Sequence, residues 1–216
     1  MKKLLLLVIM LPLAISAQKS KIGTWWAYIG NAKIASKLNW HHEVQYRNYN
    51  FIGDTEQLLL RTGLGYNLTP NNNNVLIGYG FIQSQPYIDD EKTTIDEHRV
   101  FQQYIFKHKW SQLALTHRFR SEQRFIETDF KFRFRYSLGL KVPLGKNTTS
   151  YPSSFYAAIS NEIFVHTTAA FFDRNRIYGG IGYRFSKHIS TEVGLMNQTT
   201  AERSRNQATI VTFISL

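Results

Sequence analysis

Phe130-Lys131-Phe132-Arg133-Phe134-Arg135-Tyr136-Ser137-Leu138-Gly139-Leu140-Lys141-Val142 is the stretch that decides the architecture. Every even-numbered position in it is aromatic or aliphatic, and every odd-numbered one is Lys, Arg, Ser or Gly. Successive side chains of a strand point to opposite faces, so this run has one greasy face and one cationic face. The same period of two recurs in Leu38, Trp40, His42, Val44 and Tyr46 against Asn39, His41, Glu43, Gln45 and Arg47. It appears again in Leu58, Leu60, Thr62, Leu64, Tyr66 and Leu68 against Leu59, Arg61, Gly63, Gly65 and Asn67. Ile177 to Phe185 and Ile189 to Leu195 repeat it toward the C-terminus. Helical spacing is nowhere sustained.

Alternation alone does not separate a soluble sandwich or lipocalin from a membrane barrel, because both have one apolar and one polar face. Three further features favour the membrane. The runs exceed the 5–6 residues common in soluble strands and suit the roughly 9–11 residues of a tilted membrane strand. Aromatics such as Tyr46, Tyr66, Trp110 and Phe185 fall near run ends, where an interfacial girdle needs them. Glycines alternate with arginines on the polar face, as a narrow lumen holding charged side chains requires.

The chain predicts an all-β, transmembrane, antiparallel up-and-down β-barrel. Strands are expected at 37–49, 57–68, 74–85, 97–108, 110–124, 129–142, 154–166, 174–186, 188–200 and 206–216. The connections alternate in length, and the mostly shorter set is assigned to the periplasm, where the chain then ends at Ile214-Ser215-Leu216. Residues 18–35 do not fit ten-strand parity, since a strand there would begin outside the cell. They are read as a periplasmic or lumenal segment, with a twelve-stranded wall as the alternative, and 36–216 as the barrel.

The first 17 residues read as a Sec signal peptide. Lys2-Lys3 precede a ten-residue apolar run, Leu4 to Leu13, and Ala14-Ile15-Ser16-Ala17 offers a small residue at the cleavage edge. The run is half the roughly 20 residues a spanning helix needs. The 216 residues hold no cysteine, which excludes disulfide scaffolds, thiol catalysis, Cys-ligated zinc and a lipoprotein anchor. Lys and Arg number 26 against 15 Asp and Glu, and cleavage after Ala17 removes only Lys2 and Lys3, so the exported chain stays strongly basic. Basic groups that alternate inward make no continuous stripe for nucleic acid.

His117-Arg118-Phe119-Arg120-Ser121-Glu122-Gln123-Arg124-Phe125, followed by Phe132-Arg133-Phe134-Arg135-Tyr136-Ser137-Leu138, resembles the signature of an uncharacterised outer-membrane family, domain of unknown function 2490. Members show an arginine-rich strand ending in Glu-Gln-Arg-Phe, a short loop, Arg-x-Arg-Tyr-x-Leu, and a tryptophan near the mature N-terminus, such as Trp25 or Trp26 here. The resemblance implies an outer-membrane location and a barrel over nearly the whole mature chain. It implies no activity.

The candidate site is the inward charged network: Arg118, Arg120, Glu122 and Arg124 beside Lys131, Arg133 and Arg135, with Glu43, Arg47, Arg61, Glu162, Arg176, Arg184 and Glu192 around the wall. Its plain reading is structural, arginines and carboxylates pairing to fill the interior. Its functional reading is a pore or pocket for a small anionic or acidic ligand. The remaining expected partners are outer-membrane lipid and, during biogenesis, the barrel-assembly machinery. By fold, the alternative is a periplasmic lipocalin-like barrel with an apolar ligand inside.

No enzyme, metal or cofactor is expected. An outer-membrane phospholipase, with Ser, His and Asn facing lipid, is the weakest reading: His117 shares the outward phase of Leu115 and Phe119, but Phe119 stands where that pattern wants serine. A β-bulge shifting the phase is the other account of His117. His41 and His42 point to opposite faces, wrong for one metal. Asp89-Asp90-Glu91 in the longest outer loop is read as solvated.

Overall fold

A wall of eleven strands closes on itself in the computed structural model, which describes residues 22–70, 72–145, 155–167 and 171–216. The strands in chain order are β1 (Gly23–Lys33), β2 (Leu38–Asn48), β3 (Thr55–Asn67) and β4 (Asn73–Ser84). A two-stranded excursion follows, β5 (Tyr87–Ile88) and β6 (Glu91–Lys92). The wall then resumes with β7 (Ile95–Trp110), β8 (Leu113–Ile126), β9 (Asp129–Pro143), β10 (Phe155–His166), β11 (Phe172–Arg184), β12 (Ile189–Thr200) and β13 (Ser204–Ser215). The export segment 1–17 and most of the 143–152 connection lie outside the described residues.

All ten expected strands are present, each antiparallel to its chain neighbour around the wall. The eleventh is a correction. Gly23–Lys33 forms a wall strand, where the sequence placed a periplasmic or lumenal segment. An odd, strictly alternating wall closes only through one parallel pair, and β1 runs parallel to β13, with Trp26 beside Ile210 and Ala27 beside Val211. This strand hides in the sequence because Trp25, Ala27 and Ile29 on one face meet Trp26 and Tyr28 on the other, so no polar phase marks it.

The register fixes the faces as the alternation requires. On β9, Phe130 and Phe134 are 60% and 48% exposed, while Arg133 and Arg135 are buried. Leu64 on β3 and Val193 on β12 are each 58% exposed on the outer side, with buried Arg61 and Glu192 on the other. The inner face is not purely polar. Leu59, Ile82, Phe101, Phe164 and Met196 are buried among the charges. Glycines make room for the larger of these groups: a Cβ on Gly78 would overlap the Phe101 ring, and one on Gly182 the Tyr156 ring.

Two register shifts disturb the ladders, both at the long-loop end. Arg47 pairs with Gln57 but Asn48 with Thr55, leaving Glu56 as the extra residue. Phe164 pairs with Arg174 but Val165 with Phe172, leaving Asp173 as the extra residue. A bulge breaks the strict in-out alternation, and each of these turns an acid toward the lumen: Glu56 meets Arg205 at 2.9 Å, and Asp173 meets Arg133 at 2.8 Å.

At the same end, β5 and β6 are joined by Asp89-Asp90, both at positive φ of 50° and 65°. That is the type I′ hairpin turn, a conformation Asp tolerates better than most residues. The three acids Asp89, Asp90 and Glu91 are exposed there. The hairpin is tied to the β2–β3 loop through Asp54, which takes Lys92 at 2.8 Å and the Tyr87 hydroxyl at 3.0 Å. The hydrogen bond to Asp54 raises both the ammonium and the phenol above their ordinary values.

Because the chain has no cysteine, the closure can be tested cleanly. Ala27→Cys with Val211→Cys should cross-link under mild oxidation, since directly paired strand neighbours lie within disulfide reach. Ala27→Cys with Ser204→Cys should not. Equal yields for the two pairs would contradict the parallel β1–β13 seam.

Candidate functional site

Glu122 is the centre of the interior. It projects inward from β8 with no exposed surface. Its Oε2 accepts from Arg133 Nε at 3.0 Å and its Oε1 from Arg135 Nη1 at 2.6 Å. Arg120 at 3.7 Å and Arg99 at 3.9 Å complete a ring of guanidiniums around one carboxylate. The short loop between β8 and β9 makes this possible, because it sets Glu122 directly opposite Arg133 across the ladder.

Arg135 links this centre to Glu162 on β10, donating through Nε at 3.0 Å and Nη2 at 2.7 Å. Arg118 reaches the same oxygen at 2.7 Å, and Arg176 lies 3.8 Å from the other. Arg124 forks onto Glu97 with bonds of 2.6 and 3.0 Å, and Arg99 shares that carboxylate. On the far wall, Glu43 takes Arg61 at 3.0 Å and His41 at 3.3 Å. Near the short-turn end, Glu192 pairs with Lys141 and accepts from the Tyr156 hydroxyl at 3.0 Å.

Cations also lie over aromatic rings, which replaces part of their lost hydration. Arg120 sits 4.6 Å above Phe101, and Arg135 4.4 Å from Phe164. Trp25 of β1 points inward, with Arg47 at 3.6 Å and Arg176 at 4.8 Å from its ring. Trp26 faces the other way, edge-on to Phe51.

Twelve of the fourteen residues named from sequence therefore meet in the interior. Lys131 and Arg184 do not. Lys131 pairs at 3.7 Å with exposed Asp129 at the end of β9. Arg184 is exposed at the short-turn end, 5.7 Å from the Tyr156 ring. Both occupy inward phases but stand at strand ends.

Sequence reasoning passed over Glu97, Arg99 and Gln103, although they alternate with the same period. Phe101 in the middle of that face masks the polar phase. It also passed over Asp173 and Glu56, which only their bulges turn inward.

Within the long-loop half, the side chains leave a cavity of about 210 Å³. Eight arginines reach it, against the single carboxylate of Glu97, with Gln57 and Ser84 beside them. Arg47 is buried here, and its polar partner is Gln45, at 2.6 Å. Among the described residues it makes no ion pair, and its Nε and that of Arg61 lack a hydrogen-bond partner.

On the outside, β7 and β8 pair without a break in register past His117, so no bulge shifts its phase. His117 lies in an aromatic stack, 5.3 Å from the His108 ring, with its Nδ1 2.9 Å from the Tyr136 hydroxyl. Ser121, the next outward serine on β8, donates to Gln102 at 2.7 Å. His41 and His42 lie on opposite faces: His41 on Glu43, His42 against Trp40 and Tyr28.

Among known proteins, an uncharacterized protein of Methylorubrum extorquens is 27% identical over 196 residues, covering 85% of this chain and 81% of its own. The solved structure of LpxR from Salmonella typhimurium superposes with a TM-score of 0.45 at 9% identity, covering 86% of this chain and 85% of that one. The model of a protein family of unknown function, DUF2490, matches residues 22–209, and the chain belongs to that family.

Proposed function

We propose that the protein is a bacterial outer-membrane β-barrel whose lumen is sealed by its own side chains, with the long loops outside the cell and the short turns in the periplasm. The observation that carries this reading is the outer face of the wall. Leu64, Ile77, Phe130, Ile177, Val193 and Leu195, on five different strands, are all exposed, while arginines and glutamates are turned inward. Soluble monomers rarely expose contiguous apolar patches beyond a few hundred Å². In hydrocarbon such a belt costs nothing, and a closed ladder leaves no edge whose backbone groups lack partners.

The lipocalin-like alternative needs the reverse, with Phe130, Phe132 and Phe134 in a core and Arg133 in water. The geometry here favours the membrane. Export through the leader would deliver the chain to the periplasm, where the barrel-assembly machinery would receive β13 as the strand that closes the wall on β1.

Sealing follows from what fills the bore. Phe101 of β7 and Phe164 of β10 are buried in it, with Arg120 and Arg135 stacked on them and Glu122 of β8 between. The reading is of a wall or ligand receptor, without a wide conducting pore.

Recovery of the mature protein in the outer membrane, with a faster-running unboiled gel band that shifts on boiling, is the expected outcome of fractionation. Recovery in the soluble periplasm would overturn the reading. In planar bilayers the intact barrel should give no porin-sized current steps.

Glu122→Gln should leave its arginines without their central counter-charge and cost about 3–5 kcal/mol, the scale for breaking a buried ion pair from one side. The readout is a lower temperature for conversion of the heat-modifiable band. Phe134→Leu, on the lipid side, should leave that temperature nearly unchanged. Equal effects of the two would contradict a sealing role for the network.

A further inference from the structure

The charges around the 210 Å³ cavity do not balance. Seven of its eight arginines share the carboxylates of Glu43, Glu97, Glu122, Glu162 and Asp173, and Arg118 and Arg120 lean on two of the same groups. Buried positive charge in excess of its counter-charges is costly unless it is paired, and a bound anion would supply the missing pairing. The unpaired hydrogen-bonding capacity is in the same place. Arg47 makes no ion pair among the described residues, the Nε groups of Arg47 and Arg61 lack acceptors, and Arg176 approaches Glu162 only to 3.8 Å.

We propose that this cavity binds a multiply charged oxyanion of the phosphate class, through guanidinium forks from opposite walls of the barrel. Planar forks match tetrahedral oxyanions bidentately and stay charged at every physiological pH. A volume of about 210 Å³ corresponds to about seven waters at roughly 30 Å³ each. That is room for one phosphate group and a few waters, and too little for a nucleotide.

The cavity lies toward the long-loop end by its composition. Ser84 is the last residue of β4, and Glu97 and Arg174 lie in the first turns of pleat of β7 and β11. The short-turn half is occupied instead by the hydrogen-bonded Asn31, Asn39 and Asn74 and by Tyr156 with Lys141. A ligand thus enters past the long loops, either as the free ion or as a phosphoryl group whose remainder projects outward. The inference depends on the interior alone and stands apart from the membrane assignment.

Titration of the mature, detergent-folded barrel with inorganic phosphate, followed by calorimetry and by thermal unfolding, tests it. Saturable binding and a raised midpoint are expected, with no such effect from chloride at equal ionic strength. Glycerol 3-phosphate separates the sources. Tighter binding than phosphate assigns the site to a phosphoryl group on a larger molecule, and weaker binding assigns it to the free ion.

Arg47→Gln should still fold, because it breaks no ion pair, and should weaken phosphate binding about tenfold or more. Ser84→Asp supplies a carboxylate within the cavity. It should raise the midpoint without phosphate and abolish the response to it. A folded wild-type barrel that ignores millimolar phosphate, or responds equally to chloride, would overturn the proposal, as would Arg47→Gln and Ser84→Asp variants that both bind phosphate like the wild type.

Discussion

The buried carboxylate of Glu122, held among arginines of three strands, is the interaction on which the rest of the barrel depends. An apolar outer wall obliges every charged side chain to turn inward, and the interior has too little water to hydrate them separately. They must therefore satisfy one another. Glu122 sits on β8 between β7 and β9, and removing it would take the shared counter-charge from Arg133, Arg135, Arg120 and Arg99 at once. The bonds from Arg135 to Glu162 and from Arg133 to Asp173 carry the same network across to β10 and β11.

Shape follows from this filling. Aromatic rings at Phe101, Phe164 and Trp25 act as platforms for guanidiniums, and glycines beside Phe101 and Tyr156 make room for those rings. The bulges at Glu56 and Asp173 import two further acids at the long-loop end. Even so, positive charge remains in excess there, which turns a structural device into a candidate anion site.

Much of this was legible in the amino-acid sequence because a barrel strand writes its orientation residue by residue. The face assignment of Arg133, Arg135, Glu122 and Glu162 follows from period two alone, and so do all ten amphipathic strands. What stayed hidden has particular causes. β1 carries apolar residues on both faces, so parity was the only handle on it, and parity argued against it. Asp173 and Glu56 occupy positions that alternation assigns wrongly, since a bulge leaves no local signature in composition. Lys131 and Arg184 have the right phase at the wrong height, and strand ends cannot be placed from pattern alone. The family likeness in the β8–β9 segment marked the strongest part of the network without saying what it does.

The central claim is that the wall faces lipid outside and packed charge inside. A single-cysteine nitroxide scan over Ala157 to Phe164 of β10, in phospholipid vesicles, tests it most directly, and the cysteine-free chain makes every label unique. The account expects a period of two: labels at Ala157, Ile159, Asn161 and Ile163 collide with dissolved oxygen, while labels at Ala158, Ser160 and Phe164 are immobile and reached by neither oxygen nor a water-soluble nickel complex. Nickel access at Ile159 and Ile163 would show a wall facing water, and nickel access at Ala158 and Ser160 would show an open, hydrated bore; either result contradicts the account.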